Sequence, residues 1–127
     1  METKSELRAQ ADMYFEQACN DLEITNALPD VSILPERNQK AILAFYKLSV
    51  IIQWVNEGWE PNWQSREERK YFPWFEVLPA GLTISSAFPA SLNTAALVGS
   101  WFFFKSPGLA EVWGQKLLPL YEDFLLF

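Results

Sequence analysis

Residues 41–55, AILAFYKLSVIIQWV, constrain the fold more than any other stretch of this chain. On a helix, Ile42, Phe45, Tyr46, Leu48, Val50, Ile51, Ile52, Trp54 and Val55 leave almost no polar arc. A helix that is apolar nearly all round needs neighbours on several sides. The segment therefore predicts a central helix over residues 35–56, with the remainder of the chain wrapped around it. Pro35 suits the first helical position and Gly58 a left-handed cap after the last turn. Lys47, Ser49 and Gln53 interrupt the run, which is too short and too polar to span a bilayer.

The flanking sequence supplies the wrapping. Thr3-Lys4-Ser5-Glu6 matches a capping box, and Leu7, Ala11, Tyr14, Ala18 and Leu22 then recur at steps of three and four. That spacing predicts a helix over residues 3–21. Residues 23–35 read as a loop punctuated by Pro29 and Pro35. Residues 71–78 are aromatic and extended, with Pro73 marking a strand start or an edge. Pro79-Ala80-Gly81 is a turn, and residues 82–86 alternate in the period of a half-buried strand. Residues 87–94 read as a connection. Residues 95–105, with Trp101-Phe102-Phe103-Phe104, read as the strongest strand, with a bulge at Gly99. Ser106-Pro107 begins a last helix, and Pro119 should kink it or split it near Lys116.

The expected fold class is α+β: three helices on a small antiparallel meander, in the order ααβββα. The 127 residues fit one domain, with 1–34 an acidic N-terminal helix and loop and 35–127 the core region. Half of the residues are apolar and 16% are aromatic, which is ample for a core and argues against disorder.

Charge narrows the partners. Residues 1–36 carry eight acids and two bases, residues 37–76 six bases and five acids, and the rest two bases and three acids. The net charge of −6 therefore resides at the N-terminal end, read as a solvated helix face. Without a basic stripe, nucleic acid is disfavoured. The charged start METKSELRAQ lacks the apolar segment of a signal peptide. Cys19 is the single cysteine, so no disulfide forms within the chain, in keeping with a reducing compartment. A cytoplasmic setting with no membrane association is the expectation.

The same inventory excludes several chemistries. The chain has no histidine, which removes His-based general bases, Ser-His-Asp and Cys-His arrangements and His-ligated metals. One cysteine cannot build a thiolate zinc site, and the two glycine-rich phosphate-binding motifs are absent. Carboxylate chemistry remains open through Asp12 with Glu16, Glu57 with Glu60, and Glu122 with Asp123, or through Glu76. No catalytic residue, metal, cofactor or small-molecule ligand is expected.

One stretch pulls toward function. Residues 56–75, NEGWEPNWQSREERKYFPWF, hold three Trp, two Phe and one Tyr among charges and two prolines. Rings interleaved with bases could stack single-stranded bases, anchor a protein interface, or close a small core by burying area. Alternation places Tyr71, Pro73 and Phe75 on one side, and Phe72, Trp74 and Glu76 on the other. The candidate binding residues are Trp59, Trp63, Arg66, Arg69, Tyr71, Trp74 and Trp101. A non-enzymatic interaction module leads, with a protein partner or self-association through the apolar end Leu125-Leu126-Phe127. A carboxylate-dependent hydrolase or metal-assisted enzyme and a single-strand binder are the alternatives.

Residues 35–127 also carry "ILAFYKLSVIIQWVNEGWEPNW", "RKYFPWFEV", "VGSWFFFKS" and "LAEVWGQKLLPLYEDFLL". These motifs resemble a family of short proteins of unassigned activity from Bacteroidetes genomes and their phages, with NEGWxPxW, KYxPWF, GSxxxFKS and YxDF in the same order. Trp101 stands where the family pattern has arginine, and Pro119 enters the last helix. The resemblance implies a phage or mobile-element setting, and by analogy a binding protein that acts on host or viral machinery.

Overall fold

The computed structural model describes residues 2–65, 67–90 and 100–126. Its first helix, α1 (Lys4–Asp21), starts on the predicted capping box. Thr3 Oγ1 accepts from the Glu6 N–H at 3.1 Å, and Glu6 Oε2 accepts from the Thr3 N–H at 3.4 Å. Such caps contribute about 1 kcal/mol. The buried face is Leu7, Ala11, Phe15, Ala18 and Cys19. Phe15 takes the place predicted for Tyr14, which instead meets Trp113 edge-on at 4.9 Å.

Helix α2 (Glu36–Val55) follows, with Pro35 as its N-cap residue rather than its first helical one. The centrality expected of the whole helix belongs to its second half, where the run from Leu48 to Ile52 is buried. Ile42 and Phe45, nearer the start, are exposed. Asn56 closes the helix in a right-handed conformation, and the left-handed φ falls on both Glu57 (51°) and Gly58 (87°).

Strands β1 (Lys70–Leu78) and β2 (Gly81–Ala90) form an antiparallel hairpin. Pro79 presets the turn, and Gly81 enters β2 at φ 129°. The register runs from Lys70↔Ala90 to Trp74↔Ser86, then shifts so that Phe75 faces Ile84. The extra residue thus lies on β2, and β1 keeps its alternation. Tyr71, Pro73 and Phe75 face the helices; a Cβ at Gly114 would lie 2.7 Å from Pro73, and the Phe75 ring is 4.9 Å from Tyr121.

The chain departs from the expected strands in two regions. Residues 87–90 continue β2 because residues 70–73 are there to pair with them. The third strand does not form in the described part of residues 95–105. The backbone winds through a 3-10 turn, Ser100–Phe102, and only Phe104 reaches β1, exchanging N–H···O bonds of 3.1 and 2.7 Å with Tyr71. The next outward-facing position on β1 is Pro73, which has no N–H to extend the ladder. An unbroken apolar run is as compatible with a buried turn as with a strand. Phe102 and Phe104 enter the main core, while Phe103 enters a second cluster with Phe72, flanked by Trp59 and Trp63. Residues 91–99, with the predicted connection and bulge at Gly99, lie outside the described residues.

Ser106 Oγ caps α3 (Pro107–Lys116) by accepting from the Leu109 N–H at 3.2 Å. Pro119 then splits the final segment as predicted, so that α4 (Leu118–Leu125) begins a new helix after Leu117. The described residues therefore contain four helices and a two-stranded antiparallel sheet, α+β in class, in place of three helices and a three-stranded meander. Residues 118–123 of α4 are all buried, which makes this short helix a plug between α1, α2 and the hairpin.

The plug carries two acids into the interior. Glu122 Oε2 accepts from the Leu82 N–H at 3.1 Å and pairs with Lys4 Nζ at 3.1 Å. Asp123 takes a bidentate fork from Arg8 at 2.9 and 3.2 Å, with Lys40 Nζ at 3.5 Å. Three bases from α1 and α2 thus satisfy two acids from α4 and tie the hairpin turn to both helices.

Candidate functional site

The structure disperses the rings of residues 56–75. Phe72 and Phe103 bury in the second cluster with rings 5.7 Å apart, and Trp63 sits 5.5 Å from Phe103. Lys70 is fully buried; its Nζ lies 5.1 Å from the Trp63 ring centroid and 3.3 Å from Glu68 Oε1. Tyr71 packs on the main core. Trp63 and Tyr71 therefore close the core. Arg69 is exposed, and Arg66 lies outside the described residues.

Trp59 packs on the same second cluster and also meets Trp101 at a cavity. Both line this cavity, of about 240 Å³, with Asn56, Glu60 and Pro61. Trp101 is 57% exposed at its mouth. The floor is rigidly set: buried Asn56 donates through Nδ2 to the Phe103 carbonyl at 2.8 Å and accepts at Oδ1 from the Lys105 N–H at 3.2 Å. One amide thereby takes the role of a strand neighbour for residues 103–105 and joins them to the end of α2.

Trp74 belongs to a third place. It is 47% exposed and borders a cleft of about 320 Å³ between β1, the 3-10 turn and α4. Phe72 and Trp74 from one face of β1, and Pro73, Phe75 and Val77 from the other, all line it. A cavity reaches both faces of a strand only at that strand's edge. Phe102, Tyr121 and Phe124 form the floor, and Leu125 the far rim. No lining residue is charged. Val77 and Leu125 are 71% and 52% exposed, so an apolar surface surrounds the opening. The Tyr121 ring lines the cleft while its hydroxyl is buried without a partner among the described residues. That burial raises the phenol's pKa above its ordinary value.

Of the predicted residues, then, Trp74 reaches the apolar cleft, Trp59 and Trp101 share a separate cavity, and Trp63 and Tyr71, both half-buried, pack against the two buried clusters. Sequence reasoning missed Phe75, Val77, Phe102, Tyr121 and Phe124 as cleft residues. A usable signal was present in Val77-Leu78, two consecutive apolar residues at a strand end, opposite the apolar Leu125-Leu126 already noted.

Glu57 and Glu60 are exposed and open onto different cavities, and Glu76 is exposed on β1. Glu122 and Asp123 are consumed by the clamp. Among the described residues no group of three or more His, Cys, Asp or Glu is placed to hold a metal ion, and no helix is long and apolar enough to cross a membrane. Cys19 is buried, which pushes its thiol pKa up.

Compared with protein-family models, with curated proteins and with solved structures, the chain matches none.

Proposed function

We propose that this chain is a small non-enzymatic interaction protein that receives an apolar segment of a protein partner in the cleft beside Trp74. Its setting is the cytoplasm, and its kin are the Bacteroidetes and phage proteins that its motifs resemble. The observation that carries this reading is the exposed apolar rim of Trp74, Val77 and Leu125 around an uncharged concavity. An exposed apolar patch that surrounds a cleft marks a contact site more often than a scattered exposed side chain does. The cleft lies near the lower end of the roughly 300–1,000 Å³ found for small-ligand pockets. That size suits a few side chains of a macromolecular partner. Aromatic anchors set in such pockets dominate interface energetics.

A peptide-display selection on the immobilised chain tests this. Enriched sequences should be apolar and should bind the Trp74→Ala protein at least roughly tenfold more weakly, the loss expected when one aromatic hot spot is removed. Enrichment that ignores Trp74→Ala, or no enrichment at all, would overturn the reading.

A further inference from the structure

The cleft follows the edge of β1, and the backbone there has its own chemistry. Tyr71 exchanges both of its backbone bonds with Phe104, so its N–H and C=O point away from β2. Alternation, undisturbed on β1 because the extra residue is on β2, turns Pro73, Phe75 and Val77 to the same edge. Pro73 has no N–H. Among the described residues no backbone or side-chain group pairs with the outward N–H of Phe75 or Val77. The described chain departs from this edge at the 3-10 turn, and its Phe102 ring becomes cleft floor. The start of a third strand is therefore present at Tyr71, and the place of its continuation is the cleft.

Resting on the reading of the cleft as a contact site, we propose that its occupant is an extended, uncharged, apolar peptide segment that adds to β1 as a strand. Its carbonyls accept from the Phe75 and Val77 N–H groups, its own N–H groups donate to the outward carbonyls of the same edge, and alternate side chains settle on Phe102, Tyr121 and Phe124. Two features select a strand over a helix, and a third sets its composition. A helix satisfies its own backbone and leaves the edge unpaired. A strand neighbour lies about 4.8 Å from β1 and presents side chains to both faces, matching a lining drawn from both faces. The uncharged lining favours a segment without charges. Proline, a usual protection of exposed edges, blocks one position here and leaves the next two open.

The test uses the full chain, isotope-labelled, and a capped hexapeptide of alternating valine and threonine at millimolar concentration. Two further versions carry N-methyl groups on alternate residues, on the odd positions in one and the even positions in the other. The parent peptide should shift the Phe75 and Val77 amide resonances and slow their hydrogen exchange. One N-methylated version should bind roughly tenfold more weakly, as expected for the loss of two backbone hydrogen bonds, and the other like the parent. Equal binding of all three versions would overturn strand addition while leaving the cleft as a contact site. No shift of these amides, even where display-selected sequences bind through Trp74, would also overturn it. Phe75 and Val77 amides already protected in the dilute free chain would show the edge filled from within and overturn a partner's strand. Protection that grows with protein concentration alone would make a second copy the occupant and overturn it equally.

Discussion

At the residue scale, three positions decide more than their neighbours. The Tyr121 hydroxyl is buried without a partner among the described residues, an arrangement that costs about 1–3 kcal/mol of desolvation. Tyr121→Phe should therefore stabilise the chain by about 1 kcal/mol in urea unfolding, with the slope of the transition unchanged. The pH dependence has a defined sign. Burial raises the folded phenol's pKa above the unfolded value of about 10, so the folded state keeps its proton where the unfolded state loses it. This group's contribution is complete below about pH 10 and is lost above it, by roughly 1.4 kcal/mol per pH unit. The difference between wild type and Tyr121→Phe, followed from pH 8 to 11, should widen only at the alkaline end. Asn56 is the opposite case, a buried amide with both ends used. Asn56→Ala would orphan a carbonyl and an N–H of residues 103 and 105 and should cost about 2–4 kcal/mol by the same unfolding measurement. A side chain at Gly81 would push aside the Glu122 carboxylate, at a φ that already disfavours residues other than glycine.

At the scale of elements, the starts of α1 and α3 and the break at Pro119 were legible, and the pairing of the strands was not. Thr3 with Glu6, Ser106 with Pro107, and Pro119 act through backbone groups within a few residues of themselves, so their effects can be read locally. Ser106→Ala should cost about 1 kcal/mol in thermal unfolding, because the Leu109 N–H loses its acceptor. Four aromatic residues in sequence at 101–104 read as a strand, yet a strand needs a partner edge with donors. Pro73 removes the donor at the position where the ladder should have continued. The Trp74 side of β1 remained half-exposed for a related reason: loop residues Trp59 and Trp63 cover Phe72, and the cover does not extend to position 74.

At the scale of the whole molecule, the core is closed by a short helix that brings acids inside. Arg8→Met would leave Asp123 buried with only Lys40 beside it. The expected loss is about 1–3 kcal/mol, below the 3–5 typical of a fully buried pair, because Arg8 is half-exposed and one cation remains. Chemical unfolding of Arg8→Met beside Asp123→Asn measures it, and the two losses should not add, since both variants break the same contact. The clamp and the cleft lie on either side of α4: one side ties α1 and α2 to the hairpin turn, the other leaves the β1 edge beside Phe124 and Leu125 open. The acidic N-terminal segment belongs to the same arrangement, since Lys4 and Arg8 are its two bases and both are used at the clamp.

By itself the sequence determined what depends on neighbours along the chain: the caps, the split at Pro119, the hairpin turn, the α+β class and the removal of histidine and thiolate chemistry. Only the tertiary structure decided which rings are lids and which line a surface, because burial depends on what another segment brings opposite. Trp63 and Trp74 look alike in sequence, and Phe103 covers one while the cleft borders the other. The same holds for Glu122 and Asp123, a pair of acids like several others until Lys4, Arg8 and Lys40 arrive from distant helices to neutralise them.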